Sequence, residues 1–198
     1  MIMKYKLHLG SGYKKINGFI NIDDDPLVKP DLSINLDDVN IKLPYPDNSV
    51  NEIVAHHILE HIGDGFIPLM KELYRVAEDG CTFDIVAPHH NHEVYYGDPT
   101  HKRPITVNGM YLFGKKYNKE YIEKHDSSSG LGLKYDMDWE VIHYEFEYDV
   151  FYDAMLKDYF SRKKQNKVSQ EEDFSIQRLM REANNVAINT KIKMVARK

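Results

Sequence analysis

The chain has 198 residues with 42% hydrophobic and 29% charged residues, the composition of a folded chain rather than a disordered one. It reads as a single domain over residues 1–198, large enough to bury roughly 70% of its unfolded surface. The net charge of −5 makes bulk attraction to nucleic acid unexpected, no apolar run approaches the ~20 residues of a membrane helix, and the one cysteine, Cys81, excludes an intrachain disulfide.

The start Met-Ile-Met-Lys-Tyr-Lys leads into no signal-peptide pattern, so a reducing, cytoplasmic setting is the expectation. Tyr5–Leu9 reads as a first strand ending in the turn Gly10-Ser11-Gly12. Gly18–Ile22 is a second strand, stopped by Asp23-Asp24-Asp25-Pro26, and Asp31–Leu36 is a third. Lys42–Ser49 is loop, and Val50–Ala55 is a fourth strand. Ile58–Ile62 opens a helical stretch broken by Gly63 and Gly65. Phe66–Ala77 is the clearest helix: Phe66, Met70, Leu73 and Ala77 share a face, Pro68 suits its first turn and Gly80 its exit.

Thr82–Ala87 is a fifth strand. Pro88–Ile105 is irregular, and segments of that length are usually functional or disordered. Asn108–Phe113 is a short helix, Ser127–Lys134 a mobile loop, Trp139–Tyr148 a strand, Asp149–Phe160 a helix and Arg162–Lys167 a basic linker. Ser169 and Glu172 form a capping box ahead of a helix to about Asn184. Val186–Val195 alternates as the last strand. The order is that of a parallel α/β sheet. About eight residues join the first two strands, where a parallel crossover takes about a dozen, so the first crossover helix shrinks to roughly a turn.

A glycine turn after the first strand lets a ligand approach the backbone without meeting a Cβ; a plain turn is the alternative. Asp23, ending the second strand, can accept from both ribose hydroxyls; a cap or solvated acid cluster is the alternative. Together they put both groups at the carboxyl edge of the sheet, where open α/β sheets bind ligands. Lys14 and Lys15 stand where further glycines of Gly-x-Gly-x-x-Gly would fall, so a nucleoside without a pyrophosphate fits better.

Four stretches, Leu7–Gly12, Gly18–Asp23, Leu43–Ile62 and Glu72–Pro88, follow one another in an order and spacing that resembles the class I S-adenosylmethionine-dependent methyltransferases, in particular the methyltransferase type 11 domain. Leu43–Ile62 (Leu-Pro-Tyr-Pro-Asp-Asn-Ser-Val-Asn-Glu-Ile-Val-Ala-His-His-Ile-Leu-Glu-His-Ile) is the most specific. The resemblance implies a Rossmann-like, seven-stranded, mostly parallel sheet with an antiparallel last strand. It implies cofactor methionine over Leu9, Gly10, Ser11 and Gly12, ribose on Asp23, adenine near Leu36 and Asp37, and His56 near the methionyl end. Residues 1–88 would be the cofactor-binding half, 89–135 an acceptor and lid segment, and 136–198 the C-terminal strands and helices. His8 stands where the family often has an acid, which removes an amino-group contact.

Seven of the ten histidines lie between His56 and His101. In such a fold His89-His90-Asn91-His92 and Asp98–Arg103 would lie over the methyl-donating face. The imidazole's pKa near 6.5 suits a base at neutral pH. His101, His57 and His89 are therefore candidate bases, with Asp98 to orient or neutralise one. His61, His89, His92, Tyr95 and Arg103 are assigned to the acceptor, and Glu60 with His61 could equally be structural at the helix start. The His-x-His spacing with Asp98 and His101 would also supply metal ligands, but no metal is assigned. The expected activity is methyl transfer from S-adenosylmethionine to a hydroxyl, amine or carboxylate of a small molecule or glycan, with no membrane partner and the oligomeric state open. A metal-dependent hydrolase built on the His89–His101 loop, and a non-catalytic nucleoside-binding module, are the alternatives.

Overall fold

The computed structural model describes residues 4–125 and 128–198; Ser127, the start of the expected mobile loop, lies outside them. The strands β1 (Tyr5–Leu9), β2 (Ile20–Asp23), β3 (Leu32–Ser33), β4 (Val50–His56), β5 (Ala77–Pro88), β6 (Trp139–Tyr148) and β7 (Ala187–Ala196) form one sheet in the order β3-β2-β1-β4-β5-β7-β6. β1 to β5 pair in parallel. β7 runs antiparallel to both its neighbours. This is the expected Rossmann-like arrangement, and no described helix is long and apolar enough to cross a membrane.

α1 (Phe66–Val76) joins β4 to β5 and buries Phe66, Leu69, Met70, Leu73 and Val76, a stripe at helical spacing. The helix runs into β5 at Ala77, whose backbone is already extended. β5 is therefore longer than Thr82–Ala87, with Ala77, Cys81, Phe83, Ile85 and Ala87 buried against the α1 side. The opposite sheet face is polar. Across the strands, Lys6 pairs Glu52 at 2.7 Å, Asp84 meets Lys193 at 3.4 Å, and Lys191 meets Glu145 at 3.4 Å. These side chains keep between 33% and 56% exposure and pair with one another across the strands.

The first crossover, residues 10–19, contains no helix at all. Buried Asn21 organises it instead. Its side-chain oxygen accepts from the Ile16 N–H at 2.8 Å and faces His8 Nδ1 at 3.0 Å. Its amide nitrogen donates to the Phe19 carbonyl and, at 2.7 Å, to Asp31. The Asn21 backbone N–H, at 2.9 Å, and then its side-chain amide hold the Asp31 carboxyl below the usual carboxylate range. β3 is shorter than Asp31–Leu36 because Asn35 folds back to accept from the Asp37 N–H at 2.9 Å, an Asx turn that ends the strand.

The irregular segment holds α2 (Glu93–Gly97), capped by His92, and is followed by α3 (Val107–Tyr111), capped by Thr106. α4 (Lys115–Glu123) was not anticipated, and α5 (Leu131–Lys134) occupies part of the expected loop. They are joined by buried Asn118, which donates to the Leu112 carbonyl and accepts from the Leu133 N–H. α6 (Val150–Lys164) takes in the first half of the expected linker. There Arg162 binds Glu172 of α7 (Gln170–Glu182), whose Ser169 cap forms as read.

Replacing Asn21 by Leu strands the Ile16 N–H and the His8 ring partner. Each buried group left unpaired costs about 1–3 kcal/mol, and a loss of that size should appear as a lower urea midpoint with an unchanged slope.

Candidate active site

The carboxyl edges of β1, β2 and β3 and the chain after β4 surround a cleft of ≈ 310 Å³ lined by Gly10, Asp23, Leu36, Asp37, Ile58 and His61. That volume is at the lower end for small-molecule sites. Gly10 has φ +60°, and a Cβ there would lie 2.5 Å from Ile58. The room freed by Gly10 is thus taken by Ile58. Gly12, with φ +48°, has nothing within 4 Å of its missing Cβ, so open space for a ligand lies at Gly12. Leu9 is fully buried in the core. Ser11 is buried, and its hydroxyl has no hydrogen-bond partner.

Asp23 accepts from the Gly12 N–H at 2.8 Å through one oxygen and from the Asp25 N–H at 3.0 Å through the other. A carboxylate has about four lone-pair positions, so two remain for a ligand. Asp37 is used differently. One oxygen accepts from the Gly63 and Gly65 N–H groups at 2.8 and 2.9 Å, and the other takes Lys102 Nζ at 2.6 Å. Burial alone would raise its pKa, but Lys102 and the two backbone donors outweigh that and hold it below the usual carboxylate range. Asp37 bounds the cleft while bonded to its own chain.

Residues 98–103 form a strap over the segment after β4. The Glu60 carbonyl accepts from the Lys102 and Arg103 N–H groups. Arg103 donates to the Ile62 and Gly63 carbonyls at 2.8 and 2.6 Å and lies over the Phe66 ring. Residues 102 and 103 of the expected acceptor and lid segment are therefore pinned, and the Arg103 guanidinium is bound to backbone.

Under the strap, His61 and His101 meet ring to ring at 4.7 Å. His101 also stacks on Tyr95 and bonds that residue's carbonyl through Nδ1 at 2.6 Å. Thr100 connects His61 Nδ1, at 2.9 Å, to Asp98, at 2.6 Å. These Thr100 bonds lower the Asp98 pKa. Asp98 approaches His101 only to 3.9 Å, so it orients Thr100 rather than the imidazole. His57 directly follows β4 with φ 55°. Its side chain is 49% exposed and its Nδ1 lies 3.6 Å from Glu60. Glu60 itself is 1% exposed.

The other histidines are dispersed. His56 is on the polar sheet face beside Asp84, His143 and Lys191, where burial and then the neighbouring His8 lower its pKa. His92 is a helix cap, accepting from the Val94 N–H through Nδ1. His89 sits against His90 and Phe146 in a separate hollow; burial, then His90 and His92, push its pKa down to about 4. The structure thus joins His61, His101, Tyr95 and Asp98, leaves His57 beside them, and sends His56, His89 and His92 elsewhere. Lys102 was not read as a site residue; Glu60, in the Leu-Glu-His run, was read with His61 as equally structural or catalytic.

Among solved structures, the chain is similar to a SAM-dependent methyltransferase from Archaeoglobus fulgidus, at 16% identity over 98% of this chain and 86% of that one, with a TM-score of 0.57. It is also similar to the YcgJ protein of Bacillus subtilis, at 15% identity over 100% and 93%, with a TM-score of 0.52. The fold is that of the class I methyltransferases. No protein-family model and no curated protein matches the chain, so the type 11 subfamily has no support beyond the sequence resemblance. Within the methyltransferase fold, the cleft at Gly10 and Asp23 occupies the carboxyl edge where such sheets take ligands.

The His89 imidazole is held neutral. A folded-state pKa of about 4, against ~6.5 unfolded, means its contribution to stability is complete above pH 6.5 and is lost as pH falls toward 4. Melting temperatures measured from pH 7.5 down to 4.5 should therefore fall less steeply in His89→Phe than in the unmodified protein.

Proposed function

We propose that the protein transfers a methyl group from S-adenosylmethionine to a hydroxyl, amine or carboxylate of a small molecule or glycan. The observation that carries this reading is Asp23: a carboxylate at the end of β2, bonded to the glycine turn and retaining lone pairs toward a cleft in a methyltransferase fold. The residues fit the cofactor. Asp23 can take the ribose hydroxyls, the space at Gly12 is open, and buried Leu36 offers an apolar wall. When bound, the cofactor supplies an electrophilic methyl on a sulfonium.

The chain's own task is to hold the acceptor in line and to receive its proton, since positioning provides most of the rate in such displacements. His57 is the imidazole best placed to receive it: half-exposed and directly after the carboxyl end of β4. His101 is less suited, because its side chain is only 7% exposed and its Nδ1 is bound to Tyr95.

Calorimetry with S-adenosylhomocysteine tests the cofactor. The unmodified protein should bind it. Asp23→Ala, losing hydrogen bonds to a charged group worth about 1.5–3 kcal/mol, should bind roughly tenfold to hundredfold more weakly. Equal affinity in a folded Asp23→Ala would remove Asp23 from the site. Once a screen for S-adenosylhomocysteine release has identified an acceptor, His57→Ala should lower kcat about 10²–10⁴-fold. Its S-adenosylhomocysteine affinity should be unchanged, and the acidic limb of its pH–rate profile should be lost.

A further inference from the structure

Three ligand-type side chains converge beneath the strap. Glu60, His61 and His101 each bring one donor atom to within 4.8 Å of the others. Their hydrogen bonds decide which nitrogen of each imidazole is free to ligate. Thr100 Oγ1 has a single proton, which goes to Asp98 Oδ1 at 2.6 Å, because a carboxylate only accepts. Toward His61 the hydroxyl must then accept, so His61 Nδ1 carries the proton and Nε2 bears a lone pair. His101 Nδ1 likewise donates to the Tyr95 carbonyl at 2.6 Å, leaving its Nε2 with a lone pair. The third member, Glu60, is 1% exposed, and both of its carboxylate oxygens lack a hydrogen-bond partner.

Two imidazoles with a free Nε2 lone pair and a buried carboxylate therefore converge, and the neighbouring imidazole, His57, keeps its Nδ1 3.6 Å from Glu60, beyond hydrogen-bonding distance. A buried charge in this position calls for a compensating cation. We infer that Glu60, His61 and His101 bind a divalent first-row transition-metal ion such as zinc, cobalt, manganese or iron. Two nitrogens and one carboxylate suit these ions, whereas magnesium and calcium favour all-oxygen sites. The outer contacts match as well: metal-bound imidazoles typically donate their second N–H to a carbonyl or similar acceptor, as His101 does to Tyr95 and His61 to Thr100. Two ligands of one ion at ~2.1 Å lie at most ~4.2 Å apart, so small side-chain shifts close the site. Three protein ligands leave positions open, and because His61 also lines the cleft, an oxygen of a bound molecule can complete the coordination. The assignment does not rest on methyl transfer.

The test uses tag-free full-length protein, stripped with chelator and titrated with Co²⁺, Zn²⁺ or Mg²⁺ alone. One Co²⁺ per chain should bind, with visible ligand-field absorption that Zn²⁺ abolishes, and either metal should raise the melting temperature. Glu60→Gln and His101→Ala should each abolish the Co²⁺ signal. Thr100→Val, which removes the acceptor for His61 together with the hydroxyl that donates to Asp98, should weaken Co²⁺ binding about 10–100-fold. The assignment is overturned if the unmodified protein takes up neither Co²⁺ nor Zn²⁺, the result expected if a protonated imidazole balances Glu60 instead. Preference for Mg²⁺, or unchanged Co²⁺ binding in both Glu60→Gln and His101→Ala, also overturns it. If circular dichroism shows that Glu60→Gln does not fold, His101→Ala decides alone, with unchanged binding counting against the site.

Discussion

The Asp37 carboxylate takes two backbone N–H groups from the start of α1 on one oxygen and the Lys102 ammonium on the other, and the shape of the cleft follows from that contact. Gly65 begins the helix without a side-chain cap, so a distant residue satisfies donors that a local Ser or Asp normally would. The approach is close enough that a Cβ on Gly65 would lie 2.5 Å from the Asp37 backbone, which accounts for a glycine at that position. The two bonds from backbone to carboxylate carry most of the energy, on the order of 1.5–3 kcal/mol each. The exposed Lys102 contact adds little by comparison, but it fixes the direction of the strap. The cleft wall, the α1 start and the histidine strap thus share one anchor.

That anchor bears on the chemistry of the strap. Loops over an active site often move to admit and release reactants. Here Lys102 and Arg103 are bound to Glu60, Ile62, Gly63 and Asp37, and His101 to Tyr95. Precise placement of His61 and His101 is what such rigidity supplies, and placement within a fraction of an ångström is what a coordinating or reacting group needs.

Much of the fold could be read directly because its signals are local. α1 has an apolar stripe, β4 and β5 are apolar runs between breakers, and the glycine turn marks the end of β1. α4 and α5 escaped because Lys115–Glu123 is largely polar; their stability comes from Asn118, a partnership between residues distant in sequence. β3 was overread because the Asn35 turn cuts off an otherwise strand-like run. The site was harder still. Chain proximity grouped His89, His90 and His92 with His101, whereas the fold pairs His101 with His61, forty positions away, and gives His92 to a helix terminus. The Leu-Glu-His run singles out Glu60 without telling a buried acid from a surface one; its burial is a property of the packed strap.

The crossover without a helix has a kinetic consequence. Closing a loop costs entropy that grows as the logarithm of its length, so joining β1 to β2 through ten residues is about 1 kcal/mol less costly than through a typical ~30-residue strand–helix–strand unit. β1, β2 and β3 all lie between Tyr5 and Ser33 and are nearly local partners. β5, by contrast, pairs with β7 across more than a hundred residues, Thr82 opposite Val195. Topology of that kind favours early pairing of local strands over distant ones: an amino-terminal edge whose partners are made almost together, and a β6–β7 ribbon that can join β5 only once the chain has been made through Ala196.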